Sequence, residues 1–400
     1  MKVNTHTYNL FFLCFSIVWE VLHGYLINID GAGRSIMMLS FLAVVINYGN
    51  YRKAKTVFKS SVFVFWTSLV VFSIINSILK GTPSEYGPFH FFRTNYLDVF
   101  SFLLILIIEL NANTGRCLKC LFGSFLAVVL IGSITMETLN TGRSLNALLG
   151  NRLALYSVCL FYLGSILYKG KSLSRYAWLA VSIFCMMVIV LCATRKAFGA
   201  ILIILICTLL DNKKITPGYF FTLLIFGIAL YWGIFYVYDR LLLGERFRSV
   251  AELTEFDLVR NQQINHFINT FLGDRAGMYY YGIELFHTNP LTGIGVNNYV
   301  QRTGFENRLH TEYMVQLCEN GIIGFSLFVM FYVSFIRALL RARKNQGLQW
   351  LTVASGILAI LFLSFTTWTY NQQYVMVIYA VVLVYCYSQS RYFVKDSFRV

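Results

Sequence analysis

The 400-residue chain is 57% hydrophobic and only 13% charged, with a mean hydropathy of +0.62. A soluble domain is normally about a quarter charged, so the composition excludes an ordinary water-soluble globule. The net charge of +15 does not mark a nucleic-acid binder, because no basic stripe with interleaved aromatics occurs outside the apolar runs.

Apolar runs of about 17–25 residues, the length that crosses ~30 Å of hydrocarbon, recur along most of the chain. They predict spans near 9–27, 35–48, 60–79, 95–110, 117–136, 152–168, 176–192, 196–210, 218–238, 318–337, 349–367 and 372–389. The runs are continuous rather than alternating, so they read as helices and not as barrel strands. The first is too long for a signal h-region and lacks a small-residue cleavage site, which predicts an uncleaved helix. Pro83, Pro88, Pro217 and Pro290 fall in loops or at helix edges, so the helices are expected to be unbroken. No internal repeat is present. The expected fold is an all-α polytopic membrane protein of about twelve spans. One large extracytoplasmic loop with short interfacial helices interrupts it. Residues 1–238 and 318–400 form the membrane domain, and 239–317 the loop.

Orientation follows from lysine and arginine. With the N-terminus in the cytoplasm, nineteen of the 33 basic residues fall in the inside segments, seven in the short outside loops and seven in the long loop. Both termini are then cytoplasmic, and the positive charge is mostly this bias together with affinity for anionic headgroups. Cysteine adds little: most of the nine sit in predicted helices, and Cys117 and Cys120 form a CxxC with no second pair. No disulfide is expected.

The long loop differs in kind. Residues 239–319 hold ten of the 18 acidic residues, and all seven basic residues there are arginine. Arginine presents a rigid fork of donors that fits phosphate or carboxylate oxygens in pairs, although salt bridges with the ten acids would account for most of these side chains. Ile264, Phe267, Ile268, Phe271 and Leu272 recur with helical spacing and predict a helix lying along the interface. Tyr279–Tyr281 fit either a membrane-interface belt or sugar stacking. Gly293-Ile294-Gly295 predicts a tight turn or a close backbone approach, and nothing around it supports a nucleotide fold.

From His310 to Phe325 the chain reads HTEYMVQLCENGIIGF. A neutral imidazole suits proton removal from a sugar hydroxyl, but the same position fits a helix-capping, solvent-facing histidine. If the segment is one helix, Glu312 and Glu319 share a face, and Tyr313 lies one turn from His310.

Pro290, Gly293 and Gly295, then His310-Thr311, then Gly321 and Gly324 resemble the signature of the O-antigen polymerase and O-antigen ligase superfamily. Thr194-Arg195-Lys196-Ala197 is similar to that family's Ser/Thr-Arg-Lys-Ala element, and Arg275 fits the arginine it carries early in its periplasmic loop. Gly150-Asn151-Arg152 is similar to a pre-helix element, here without the family's proline. The likeness runs from Arg195 to Phe325 and includes the helix number and the loop's place. It implies an inverting, metal-independent membrane glycosyltransferase with no cofactor, whose donor is an undecaprenyl-diphosphate-linked oligosaccharide at the periplasmic face of the inner membrane. Arg195 and Arg275 would bind the diphosphate and His310 would act as base. Lys196, Arg152, Glu312 and Tyr313 would lend support. A glycan acceptor on lipid and a chain-length regulator are the partners implied. The form of the Arg-Lys element favours a polymerase over a ligase acting on lipid A core. A lipid-linked oligosaccharide flippase is the alternative from another class. It would call for paired repeats or broken helices, and the sequence shows neither.

Overall fold

The computed structural model describes residues 4–25, 42–81, 96–138, 143–192, 194–211, 275–303, 309, 311–345, 349–365 and 372–388. Among them every regular element is helical, and no strand occurs. In chain order, apart from short helical turns within 42–58, the helices are α1 (Thr5–Tyr25), α2 (Ser61–Lys80), α3 (Asp98–Thr138), α4 (Arg143–Lys169), α5 (Arg175–Leu191) and α6 (Arg195–Leu210). Then come α7 (Arg275–Thr288), α8 (Asn298–Thr303), α9 (Glu312–Asn345), α10 (Trp350–Ser364) and α11 (Gln373–Tyr387). The predicted span at 218–238 and the predicted interfacial helix at 264–272 lie outside the described residues, and 35–48 is described only as a short helix at 42–46.

Local chemistry sets several helix ends. The Ser60 and Ser174 hydroxyls accept the Phe63 and Ala177 amides, each at 3.2 Å, and so cap α2 and α5. Gly81, at φ 81°, ends α2 in a conformation that other residues resist.

Segments Ser61–Lys80, Asp98–Ile134 and Glu312–Arg343 are long and apolar enough to cross a membrane, and α5, α10, α11 and most of α6 are shorter apolar helices. Two helices are enclosed on every side. All residues from Tyr374 to Tyr385 in α11 are buried, as are those from Leu153 to Leu167 in α4. Others show apolar stripes outward: Tyr176, Leu179, Ile183, Met187 and Leu191 on α5, and Val64, Val71, Ile75 and Ile78 on α2. Helices apolar all round belong in a bundle core or against hydrocarbon, and this bundle uses both.

α6 and α10 run antiparallel. At one end the Asp211 carboxylate accepts from the Thr352 amide (3.2 Å) and hydroxyl (2.5 Å), and at the other Gly199 lies against the Phe362 ring. The Asp211 end also holds Lys169, whose ammonium donates to the Asp211 carbonyl at 3.0 Å, and Trp350, which donates to the Leu339 carbonyl at 2.6 Å. The other end carries Lys80, α7 and the 289–298 segment. This is the loop end of the bundle.

Two helices are interrupted without proline: one break falls in the expected connection between two spans, and the other, inside the predicted span 318–337, overturns the expectation of unbroken helices. In α3, Asn113 is extended (φ −151°, ψ 77°), and its side-chain oxygen accepts the Arg116 amide at 3.2 Å. Asn113 thus caps a second helix and divides the predicted spans 95–110 and 117–136. In α9, Gly321 takes φ 62°, ψ −166°, and there the chain reverses. The Tyr313 and Phe328 rings lie 5.8 Å apart. Fifteen residues of straight helix would separate them by about 22 Å. α9 is therefore a helical hairpin, with α9a (312–320) folded back along α9b (322–345). The predicted span at 318–337 straddles the turn.

Candidate active site at the loop end

The hairpin turn is held by the loop. Reversal at Gly321 breaks the helical pairing of the Cys318 and Glu319 carbonyls with the Ile322 and Ile323 amides. The segment around Pro290–Gly295 takes up all four groups. Ile294 and Gly295 donate to the Cys318 and Glu319 carbonyls at 3.0 and 2.9 Å, while Ile322 and Ile323 donate to the Pro290 and Leu291 carbonyls at 2.8 and 3.2 Å. Buried backbone groups need such partners.

This exchange explains the glycines. Gly293 and Gly295 have φ of 69° and 89°, which meets the expected tight turn. A Cβ on Gly293 would lie 2.5 Å from the Glu319 carbonyl carbon, and one on Gly321 would lie 2.5 Å from the Gly293 nitrogen and the Leu291 carbonyl. Two backbones pass where no side chain fits. Sequence reading took only Gly293-x-Gly295 as a turn signal and placed Gly321 and Gly324 in a resemblance alone; the fold makes the two pieces halves of one joint.

Three residues of α2 complete the joint, and the sequence reading missed them. Buried Asn76 donates to both the Thr292 carbonyl (2.6 Å) and the Glu319 carbonyl (3.0 Å). The Ser77 hydroxyl accepts the Val296 amide at 3.3 Å, and the Lys80 ammonium donates to the Asn289 side-chain oxygen at 3.2 Å. Their only sequence signal is a run of polar groups at the C-terminal end of an apolar span. Asn298 closes the segment by donating to the Ile294 and Gly81 carbonyls at 2.8 and 3.0 Å.

Beneath the joint, Met278, Ile294, Tyr299, Leu309, Val315 and Cys318 form a small apolar core of their own. The Tyr299 hydroxyl donates to the Met278 carbonyl at 2.7 Å, and burial, then the neighbouring Cys318 thiol, push its phenol up, so it stays a neutral donor. Tyr280 and Tyr281 remain exposed on α7.

Glu312 and Tyr313 open α9a deep in the bundle, not at the mouth of a span. Glu312 is fully buried, at 0% exposure. The Tyr313 hydroxyl donates to the Leu361 carbonyl at 3.4 Å, and its ring lies 4.8 Å from that of Phe365. The same C-terminal part of α10 touches α6 at Gly199, one turn from Arg195. The fold thus brings the first turn of α6, with Arg195 and half-buried Lys196, to the same part of α10 as Glu312 and Tyr313. Arg275 begins α7, which packs on α9. Arg152 is exposed on α4. Thr311 caps α9a: its hydroxyl accepts the Met314 amide at 3.3 Å. His310 and the side chains of Arg195 and Arg275 lie outside the described residues. Glu312 and Glu319 do share α9a, but Glu319 serves the joint through its carbonyl.

Among the described residues no cluster of three or more histidine, cysteine or acidic side chains is placed to hold a metal ion, and all nine cysteines are free thiols. A scan against models of known protein families finds no match, and neither does a comparison with curated proteins.

Proposed function

We propose that the chain is an O-antigen (surface polysaccharide) polymerase. It transfers undecaprenyl-diphosphate-linked oligosaccharide onto a lipid-linked repeat unit at the periplasmic face of a bacterial inner membrane. In this reading the chain crosses about twelve times with both termini cytoplasmic, and the loop end faces outward. The observation that carries the reading is the joint itself. The Pro290–Gly295 and Gly321–Gly324 pieces, on which the resemblance rests, pack backbone to backbone, and α9a, anchored there, begins beside the same helix as the first turn of α6.

The chemistry assigned is inverting displacement. The acceptor hydroxyl attacks the anomeric carbon, the C–O bond to the diphosphate breaks, and the diphosphate leaves with the electron pair. Arg195 and Arg275 would meet the growing phosphate charge with paired donors in a site of low dielectric, and His310 would take the acceptor proton as the new bond forms.

Purified protein supplied with undecaprenyl-diphosphate-linked repeat unit, after chelator treatment, should yield a polymer ladder. His310→Ala should lower turnover by about 10²–10⁴-fold, and Arg195→Lys and Arg275→Lys should rescue their alanine variants poorly. Product appearing only on lipid A core acceptor would turn the reading to a ligase.

The broken helix of α9 favours a second reading, a flippase, because transporters build sites at such breaks. Against it, the four backbone groups released at Gly321 are all taken by the loop, so none is left to coordinate a passing ion or headgroup. Translocation of fluorescent lipid-linked oligosaccharide by the purified protein, without polymer, would decide for transport.

A further inference from the structure

The inward face of α9a is polar where a buried helix face is normally apolar. Glu312, Gln316 and Asn320 recur at i, i+4 spacing and are all buried. Gln316 donates its amide N–H to the Glu312 carboxylate at 2.8 Å, and Asn320 donates to the Gln316 oxygen at 2.9 Å. The Asn320 side-chain oxygen, at the far end, has no partner. Turning either amide round would set like groups against each other, oxygen to oxygen or N–H to N–H. The ladder is therefore oriented from its carboxylate end, and each amide polarises the next. Tyr313, next to Glu312, packs on Phe328 of α9b at 5.8 Å, and Phe328 on Tyr332, whose hydroxyl meets that of Tyr379 on α11 at 2.6 Å.

We propose that Glu312, Gln316 and Asn320 are positioning residues for the transfer reaction, a role that rests on the function proposed above. Glu312 has no exposed surface, so it acts as a strut and not as the base. The joint at Gly321 fixes one end of α9a, the ladder runs the length of the helix, and at the other end Tyr313 packs on Phe328 of α9b and donates to the Leu361 carbonyl of α10. Together they hold the start of α9a at one depth beside α10 and the first turn of α6.

Two measurements on the full chain in lipid nanodiscs test this. One is polymer formation from undecaprenyl-diphosphate-linked repeat unit extracted from the source cells. The other is hydrogen exchange of the 311–320 amides. Glu312→Gln keeps the acceptor oxygen and should retain turnover and protection. Glu312→Ala and Gln316→Leu should lose about 10²-fold in turnover, as displacement by an ångström does, with the apparent donor KM within about threefold. Their 311–320 exchange should rise about tenfold. A Glu312→Gln protein as inactive as Glu312→Ala would overturn the proposal, because the carboxylate would then act by its chemistry. So would a Gln316→Leu protein with wild-type exchange. If wild-type protein makes no polymer, the proposed function fails, and the exchange comparison alone decides whether the ladder fixes α9a.

Discussion

The two ends of the bundle are held by different kinds of bond. At the loop end, backbone pairs with backbone across Gly293 and Gly321, and a single side chain, Asn76, bridges both strands of the joint. At the opposite end, side chains hold the elements together. Asp211 at the end of α6 caps the first amides of α10, whose own N-cap residue, Gln349, makes no capping bond. Glu109 on α3 gathers Asn9 (2.5 Å) and His6 (3.0 Å) from α1, and Asn9 and Asn47 exchange amide hydrogen bonds at 2.9 and 2.6 Å. Side-chain contacts can be trimmed or replaced singly. A backbone joint without room for a Cβ has no such tolerance.

The contrast can be broken or sharpened by substitution, beginning with the largest effect. Gly321→Ala or Gly293→Ala would force a methyl group into backbone 2.5 Å away and should destabilise by about 3 kcal/mol or more, read as a lowered unfolding midpoint in detergent. An unchanged midpoint for both would mean that the joint is not closely packed. Asn76→Leu removes both donations to the joint and should cost about 2 kcal/mol. Asn76→Asp should cost more, since it sets a carboxylate against two carbonyls. At the opposite end, Asp211→Ala frees the first amides of α10 and should cost about 1–2 kcal/mol, with Asp211→Asn recovering much of it. Equal or greater loss than for the glycine variants would reverse the ranking of the two ends. The smallest effect is expected for His6→Ala. His6 is 41% exposed, so water can replace its contact with the buried Glu109 carboxylate, which keeps the Asn9 donor, and the loss should be about 0.5 kcal/mol. A loss above that of Asp211→Ala would show that the Glu109 cluster depends on the imidazole.

Some of the site was legible beforehand. The positive-φ turn at Gly293 and Gly295 follows from two glycines one residue apart, whereas the helix start at Glu312 was not marked, because the apolar run that signals the span begins only at 318. Asn113 was read only as part of a connection between two spans, and it proved to be the cap itself. The joint was not legible, because a glycine inside an apolar run is equally compatible with a straight helix. What breaks the helix at Gly321 is the arrival of residues 290–295, which supply the hydrogen bonds a straight helix would make internally. Asn76 escaped notice for the same reason, since its partners lie more than two hundred residues away in the chain.

Composition and apolar run length by themselves determined that the chain is helical and has segments suited to crossing a membrane, because backbone hydrogen bonding in hydrocarbon leaves a helix of continuous apolar residues few alternatives. Only the tertiary structure decided that α9 folds back on itself, that Glu312 lies inside the bundle, and that α2 anchors the loop. Those features depend on which distant backbone supplies the bonds lost at one glycine, and local periodicity carries no record of that.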